Sequence, residues 1–388
     1  MEQFICDIAM LLAHQVNHVM NENNEESRDS RIPHHSRRLF IQLAGAAGLC
    51  LTAGTTVVTS VKDDVNTENK ETTDNGREND GDPTPVDSCT LIDEPGEYEL
   101  VADISFDDLE AGSHYPGCIV IASEGVTLWG NGHTIEGDGT GSCIVVGDPF
   151  EDEILNTVIE DVVVRGGRNG IASLFAEGFE YTNITAIEND SGFFFLGTGG
   201  SLMNCHVENN AGDGIILQGE EEVFLMGPRV KLDHCTITSN GGTGLRVGHL
   251  SRAEVSRSRI VKNAIGVETS PIAEGTILEE CHICRNEHYG VNAGSQPGMD
   301  PELLDDPDRD FPFEHRREGL VTAVDNYWGA ANGPSSFGDP EEPYADPETG
   351  RPADGDGDAI SQGLEPGVSN VRFDPFYELA LDDIGADR

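Results

Sequence analysis

Residues 202–217 read LMNCHVENNAGDGIIL, and residues 232–247 read LDHCTITSNGGTGLRV. The two align without a gap. Leu202, Cys205 and Val207 precede Asn210, with Ile215 and Leu217 after it; Leu232, Cys235 and Ile237 precede Asn240, with Leu245 and Val247 after it. Apolar residues alternating with polar ones at period two mark strands with one face turned inward. Runs this short between Asn/Gly turns leave no room for a helix of useful length.

The pattern extends in both directions. Each unit is marked by a glycine followed by an apolar residue: Gly170-Ile171, Gly192-Phe193, Gly214-Ile215, Gly244-Leu245, Gly266-Val267 and Gly290-Val291. These pairs recur every 22 residues, with one interval of 30 and one of 24. The longer interval holds a surface loop around Glu220–Glu222 and Gly227-Pro228. A fixed period of this size signals a solenoid, in which no coil buries its apolar face alone. The expected fold is all-β, a single-stranded right-handed parallel β-helix of the pectin-lyase-like type. An antiparallel sandwich is the alternative. Asn and Gly are expected at left-handed corner positions.

Four segments are expected: an N-terminal extension with an export signal (1–61), a solvated acidic linker (62–86), the β-helix (87–328) and an acidic cap or tail (329–388). Val321–Trp328 reads as the last strand, and Ser295–Gly319 as a long insertion. In the first segment, Ser36-Arg37-Arg38-Leu39-Phe40-Ile41 precedes an apolar run from Gln42 to about Val58. Twin arginines in this setting form an export address. Glycines interrupt the run, so no membrane span is expected in the mature protein. Met20 is a candidate start, and Cys50 lacks a lipobox before it. The expected location is extracellular or on the cell surface.

The chain of 388 residues carries 71 acidic and 23 basic residues, a net charge of -48. Such a chain repels itself unless salt screens the charge, which suggests a salt-loving host. It also argues against nucleic-acid binding, which needs clustered Lys and Arg.

Against this background, Arg229, Lys231, Arg246, Arg252, Arg257, Arg259 and Lys262 form a basic stretch opposed only by Asp233 and Glu254. Alternation points Arg246, Arg257 and Arg259 outward, and stacking is expected to gather them on one face. Guanidinium groups match carboxylates, so an acidic polysaccharide or cell-surface glycan is the expected partner. The alternative is a patch neutralised by local carboxylates.

Asp190 and Asp213 lie near turns of adjacent coils and are the catalytic candidates for a glycan-cleaving enzyme. Asp354, Asp356 and Asp358 alternate with glycines, a pattern that suits calcium; no cofactor is otherwise required. His206 and His282 fall three coils apart, roughly 14 Å, too far for one metal ion. Cys205, Cys235 and Cys281, with Ser258 between, are expected to form a column of small inward residues. A disulfide is open among Cys89, Cys118 and Cys143.

Two groups of motifs carry a family resemblance. Ser88-Cys89-Thr90, Pro95-Gly96-Glu97-Tyr98-Glu99-Leu100, Gly125-Val126-Thr127-Leu128 and Gly130-Asn131-Gly132-His133-Thr134-Ile135 resemble the opening of archaeal NosD-like, pectin-lyase-type β-helix proteins. Asn326-Tyr327-Trp328-Gly329, Asn332-Gly333-Pro334-Ser335 and Val371-Arg372-Phe373-Asp374-Pro375-Phe376 resemble their ending. Trp129 stands where that pattern has a polar residue, and is a candidate ligand contact. The resemblance implies a haloarchaeal exported protein that binds glycans or serves a structural role. It also admits a polysaccharide lyase, hydrolase or epimerase. Copper delivery of the NosD kind has little support in the histidine spacing.

Overall fold

The computed structural model describes residues 82–106, 116–148, 154–219, 227–271, 273, 275–294, 320–338, 341–363, 365–382 and 384–386. The export motif, the linker up to residue 81, the Glu220–Glu222 loop and the 295–319 insertion lie outside them. Every named element is a strand, and the strands pair in parallel within three sheets of 12, 8 and 11 members. The chain visits the sheets in turn. Arg229–Asp233 lies in the 12-stranded sheet, Thr236–Thr238 in the 8-stranded sheet and Thr243–Val247 in the 11-stranded sheet; Arg252–Ser256 then starts the next coil.

The pairing register reproduces the sequence repeat. Ile144, Ile171, Phe193, Ile215, Leu245, Val267 and Val291 are successive partners, and each is fully buried. A residue buried this way contributes about 1.5–3 kcal/mol. From Ile171 onward a glycine precedes each of them, and it is a steric necessity. A Cβ on Gly192 would sit 2.6 Å from the carbonyl oxygen of Gly214, and one on Gly266 only 2.4 Å from that of Gly290. The repeat is thus marked by the point where neighbouring coils approach too closely for any side chain.

Asparagines take left-handed corners as expected at Asn131, Asn183, Asn204 and Asn209, but not at the repeat asparagines themselves. Asn210, Asn240 and Asn286 are not the left-handed residues; Asn209, Ser239 and Arg285, one position earlier, take positive φ. That turn frees the following asparagine to point into a ladder. Asn189 Nδ2 donates to Asn210 Oδ1 (3.2 Å), Asn210 to Asn240 (2.8 Å), Asn240 to Asn263 (3.0 Å) and Asn263 to Asn286 (3.3 Å). Each Oδ1 also accepts the backbone N–H of the preceding asparagine. Each Nδ2 also donates to a carbonyl of the preceding coil, as Asn210 does to Ala186. An amide that satisfies several buried groups at once avoids the cost of leaving them unpaired.

A second left-handed column joins the 12- and 8-stranded sheets: Asn131, Asp161, Asn183, Asn204, His234, Arg257, Glu280 and Asp325.

The cysteine column is as expected. Cys205, Cys235, Ser258 and Cys281 are all fully buried, and the Cys235 N–H donates to Ser258 Oγ (3.0 Å). Burial pushes the Cys281 thiol up to about 12. Of the three possible disulfide partners, Cys89 and Cys118 are bonded and Cys143 is a buried free thiol.

The sheets run on past Trp328, so Val321–Trp328 does not close the coil. Gly357–Ile360 and Pro334–Ser336 extend the 11-stranded sheet, and Val371–Arg372 extends the 12-stranded one. Trp328 is fully buried beneath them. The last residues then turn back over the outside of the 8-stranded sheet, where the N–H of Leu381 meets His282 Nε2 (2.9 Å) and that of Ala386 meets Thr236 Oγ1 (3.0 Å).

Candidate functional site

The three arginines expected on one face, Arg246, Arg257 and Arg259, do not gather on one sheet. Arg246 belongs to the 11-stranded sheet and Arg259 to the 8-stranded sheet, while Arg257 forms the left-handed turn before it. Trp129, half-buried, stands on the 12-stranded sheet between Glu99 and Glu160. Two-fold alternation gives inside against outside, and in a three-sided coil outside has three directions. Arg257 is held by Asp233, with its Nη2 2.7 Å from Oδ2 and its Nε 3.0 Å from Oδ1. The local-neutralisation alternative therefore describes Arg257.

Arg246 is the centre of a different arrangement. Its Nη1 is 2.9 Å from Asp213 Oδ2, and its Nε is 3.3 Å from Glu268 Oε2. The three groups come from three successive coils. Arg246 pairs in register with Glu268, and Asp213 lies one coil before. Only 7% and 6% of the two carboxylate side chains is exposed, against 39% of the arginine. Burial raises both carboxyl groups above their ordinary range, and the guanidinium partly offsets this. Asp213 Oδ1 also accepts the backbone N–H of Thr243 (2.7 Å), and the Thr243 hydroxyl donates to Glu268 Oε2 (3.4 Å). Two proton-accepting groups with raised affinity around one cation can hold or release a proton near a bound ligand. Sequence reading missed Glu268. The signal was present: it lies 22 residues after Arg246, one repeat length on.

The same outward position in earlier coils is apolar. Val120, Val145, Ala172, Phe194 and Ile216 precede Arg246 in register. With Leu174 and Leu196 they form a small buried cluster outside the solenoid, against which Phe175 packs. Beside it a shallow cleft is lined by Pro116, Thr140, Ser142, Arg168, Asn169 and Phe194, among others. From Ala172 to Glu268 the face rises four coils, about 19 Å.

The other candidates separate. Asp190 is exposed in its turn and meets the Asp213 coil through backbone, its carbonyl accepting the Gly212 N–H (2.7 Å). The carboxylate that joins Asp213 around one partner is Glu268. Asp354, Asp356 and Asp358 do not converge on a calcium site. Asp358 ends the asparagine ladder, taking N–H groups from Arg285 (2.7 Å) and Asn286 (2.9 Å) and the Asn286 side-chain amide (2.8 Å). Asp356 bonds Asn332, and Asp354 is exposed. Among the described residues, no three His, Cys, Asp or Glu side chains gather to hold a metal ion. His206 and His282 are separated by two intervening strands of the 8-stranded sheet, as their spacing implies. No helix among the described residues is long and apolar enough to cross a membrane.

Comparison with known proteins adds to the geometry. The family described as right handed beta helix region matches residues 118–263 and 191–300. Among solved structures, a mutant of the periplasmic alginate epimerase AlgG is similar at 13% identity, covering 74% of this chain and 70% of that one, with a TM-score of 0.37. Comparison with curated proteins gave no match. Parallel strands stacked in repeat register through three sheets, together with the family match, make this chain a right-handed parallel β-helix.

Proposed function

We propose that the protein binds carbohydrate along the outer face of the 11-stranded sheet, between the Arg168 cleft and the Asp213–Arg246–Glu268 cluster. The cluster carries the reading: a partly exposed guanidinium held between two buried carboxyl groups. Carboxylates and guanidinium are hydrogen-bonding partners for sugar hydroxyls, and the extended face suits a polymer. Arg246 is already matched by two carboxylates, so a uronate competes with them for the guanidinium. Their raised proton affinity supports stronger uronate binding as pH falls.

The test is titration with a polyuronate and a neutral glucan in molar salt, at pH 5.5 and 7.5. The expected result is saturable polyuronate binding that is tighter at pH 5.5 and at least tenfold weaker in Arg246→Ala. Binding that ignores this substitution would sink the proposal.

A second reading, a polysaccharide lyase, hydrolase or epimerase, is favoured by the same raised carboxyl groups, either of which would serve as general acid. New unsaturated or reducing ends, or inverted uronate residues, lost in Asp213→Asn, would support it. The acidic composition and the Cys89–Cys118 disulfide support export to an oxidising, saline environment, by the twin-arginine route the sequence suggests.

A further inference from the structure

We propose that the C-terminal tail, from Leu379 to Ala386, is a strap latched over the 8-stranded sheet by neutral His282 and released when that ring takes up a proton. The tail crosses three coils, and three of its backbone N–H groups donate to them. Leu381 donates to His282 Nε2 (2.9 Å), Gly385 to the Arg257 carbonyl (2.9 Å) and Ala386 to Thr236 Oγ1 (3.0 Å). His282, Arg259 and Thr236 occupy one register position in successive coils. The contact is close. A Cβ on Gly385 would lie 2.5 Å from Arg259 Cδ and 2.6 Å from Thr236 Oγ1.

Of the three acceptors only the imidazole titrates. Nε2 accepts the Leu381 N–H only while unprotonated, because both nitrogens of the imidazolium are donors. Protonation replaces an attraction with a donor facing a donor. The charged and titratable groups around the ring are Arg259 from the coil before, Tyr327 from the coil after, at 5.5 Å between ring centroids, and Asp382 beside Leu381 in the tail. Burial and the Arg259 charge both lower the proton affinity of His282 below its ordinary value of 6.5. The latch is therefore fully closed above that value, and opens as pH falls below it. Release uncovers Arg259 beside a newly charged His282.

Deuterium exchange of peptides spanning 377–386, corrected for intrinsic rates and run in molar salt, tests this. Between pH 7.5 and 5.5 the wild-type tail should lose up to about tenfold in protection, the limit for one imidazole with an ordinary value of 6.5, while peptides from 229–247 keep theirs. In His282→Gln, which places an amide near the same position without titrating, tail protection should stay level across that range. Equal loss in both proteins, or none in the wild type, overturns the proposal. So does opening of the 229–247 peptides together with the tail, because the strap must leave before the solenoid yields. As a second reading at pH 7.5, Gly385→Val should displace the tail and expose His282 to diethylpyrocarbonate. An unmodified His282 in that variant also overturns it.

Discussion

One outward position of the 11-stranded sheet changes character halfway along the molecule. In the earlier coils it holds Val120, Val145, Ala172, Phe194 and Ile216; in the later ones it holds Arg246, Glu268 and Asn292. The inward neighbour does not change: Ile144 through Val291 are apolar and fully buried in every coil. The fold therefore depends on the inner column, which leaves the outer one free to carry different chemistry in each half. The earlier half is a second small core, and the later half an ionic cluster.

Substitutions should break this contrast with graded effect. Phe193→Ala removes an inward ring stacked on Phe195 at 5.9 Å, and should cost about 3–5 kcal/mol. Denaturant unfolding in molar salt measures it. Phe194→Ala, next in the chain but facing the smaller outer cluster, should cost about 3 kcal/mol, the lower end of the same range, because its ring is only 4% exposed. Near-equality with a surface substitution would show that the outer cluster is not a core. Arg246→Ala leaves two buried carboxyl groups without their cation. Given the partial exposure of Arg246, the loss at pH 7.5 should be about 1–2 kcal/mol.

That loss has a signed pH dependence. Both carboxyl groups have raised folded-state affinity for protons, so the stability they contribute is present at low pH and lost as pH rises through their raised values. Unfolding at pH 4.5 should therefore separate wild type and Arg246→Ala less than unfolding at pH 7.5. Replacing the whole cluster (Asp213→Ser, Arg246→Ile, Glu268→Val) continues the apolar half into the later one. Stability should then change by less than about 1 kcal/mol, or rise, while carbohydrate binding disappears. Arg257→Ala, at an exposed pair with Asp233, should shift stability by at most about 1 kcal/mol and leave binding intact.

The contrast also separates what was legible in the sequence from what was not. The Gly-apolar pairs could be read because the close approach at Gly192 or Gly266 admits one residue type, so spacing alone fixes the coil. The cysteine column followed from the same register. The outward faces were not readable from alternation, which places Arg246 and Arg259 outside without saying on which of three sheets. Arg257 was misplaced because an arginine at positive φ carries no sequence mark. Asp358 looked like a cation ligand because its partner Asn286 is 72 residues away, in a coil that nothing local connects to it.

The row of asparagines has a direction. Every side-chain amide from Asn189 to Asn286 gives one of its two hydrogens to the next coil, and that chain of donors stops at the carboxylate of Asp358. Aligned amide dipoles add, as they do along a helix axis, and with the donated hydrogens they oppose the burial that raises the Asp358 carboxyl above its ordinary range. Asp358 thereby acts as the electrostatic terminus of a wire five amides long. Neutralising it as Asp358→Asn would be felt upstream, in slower or faster exchange of the Asn189 and Asn210 backbone hydrogens, coils away from the change.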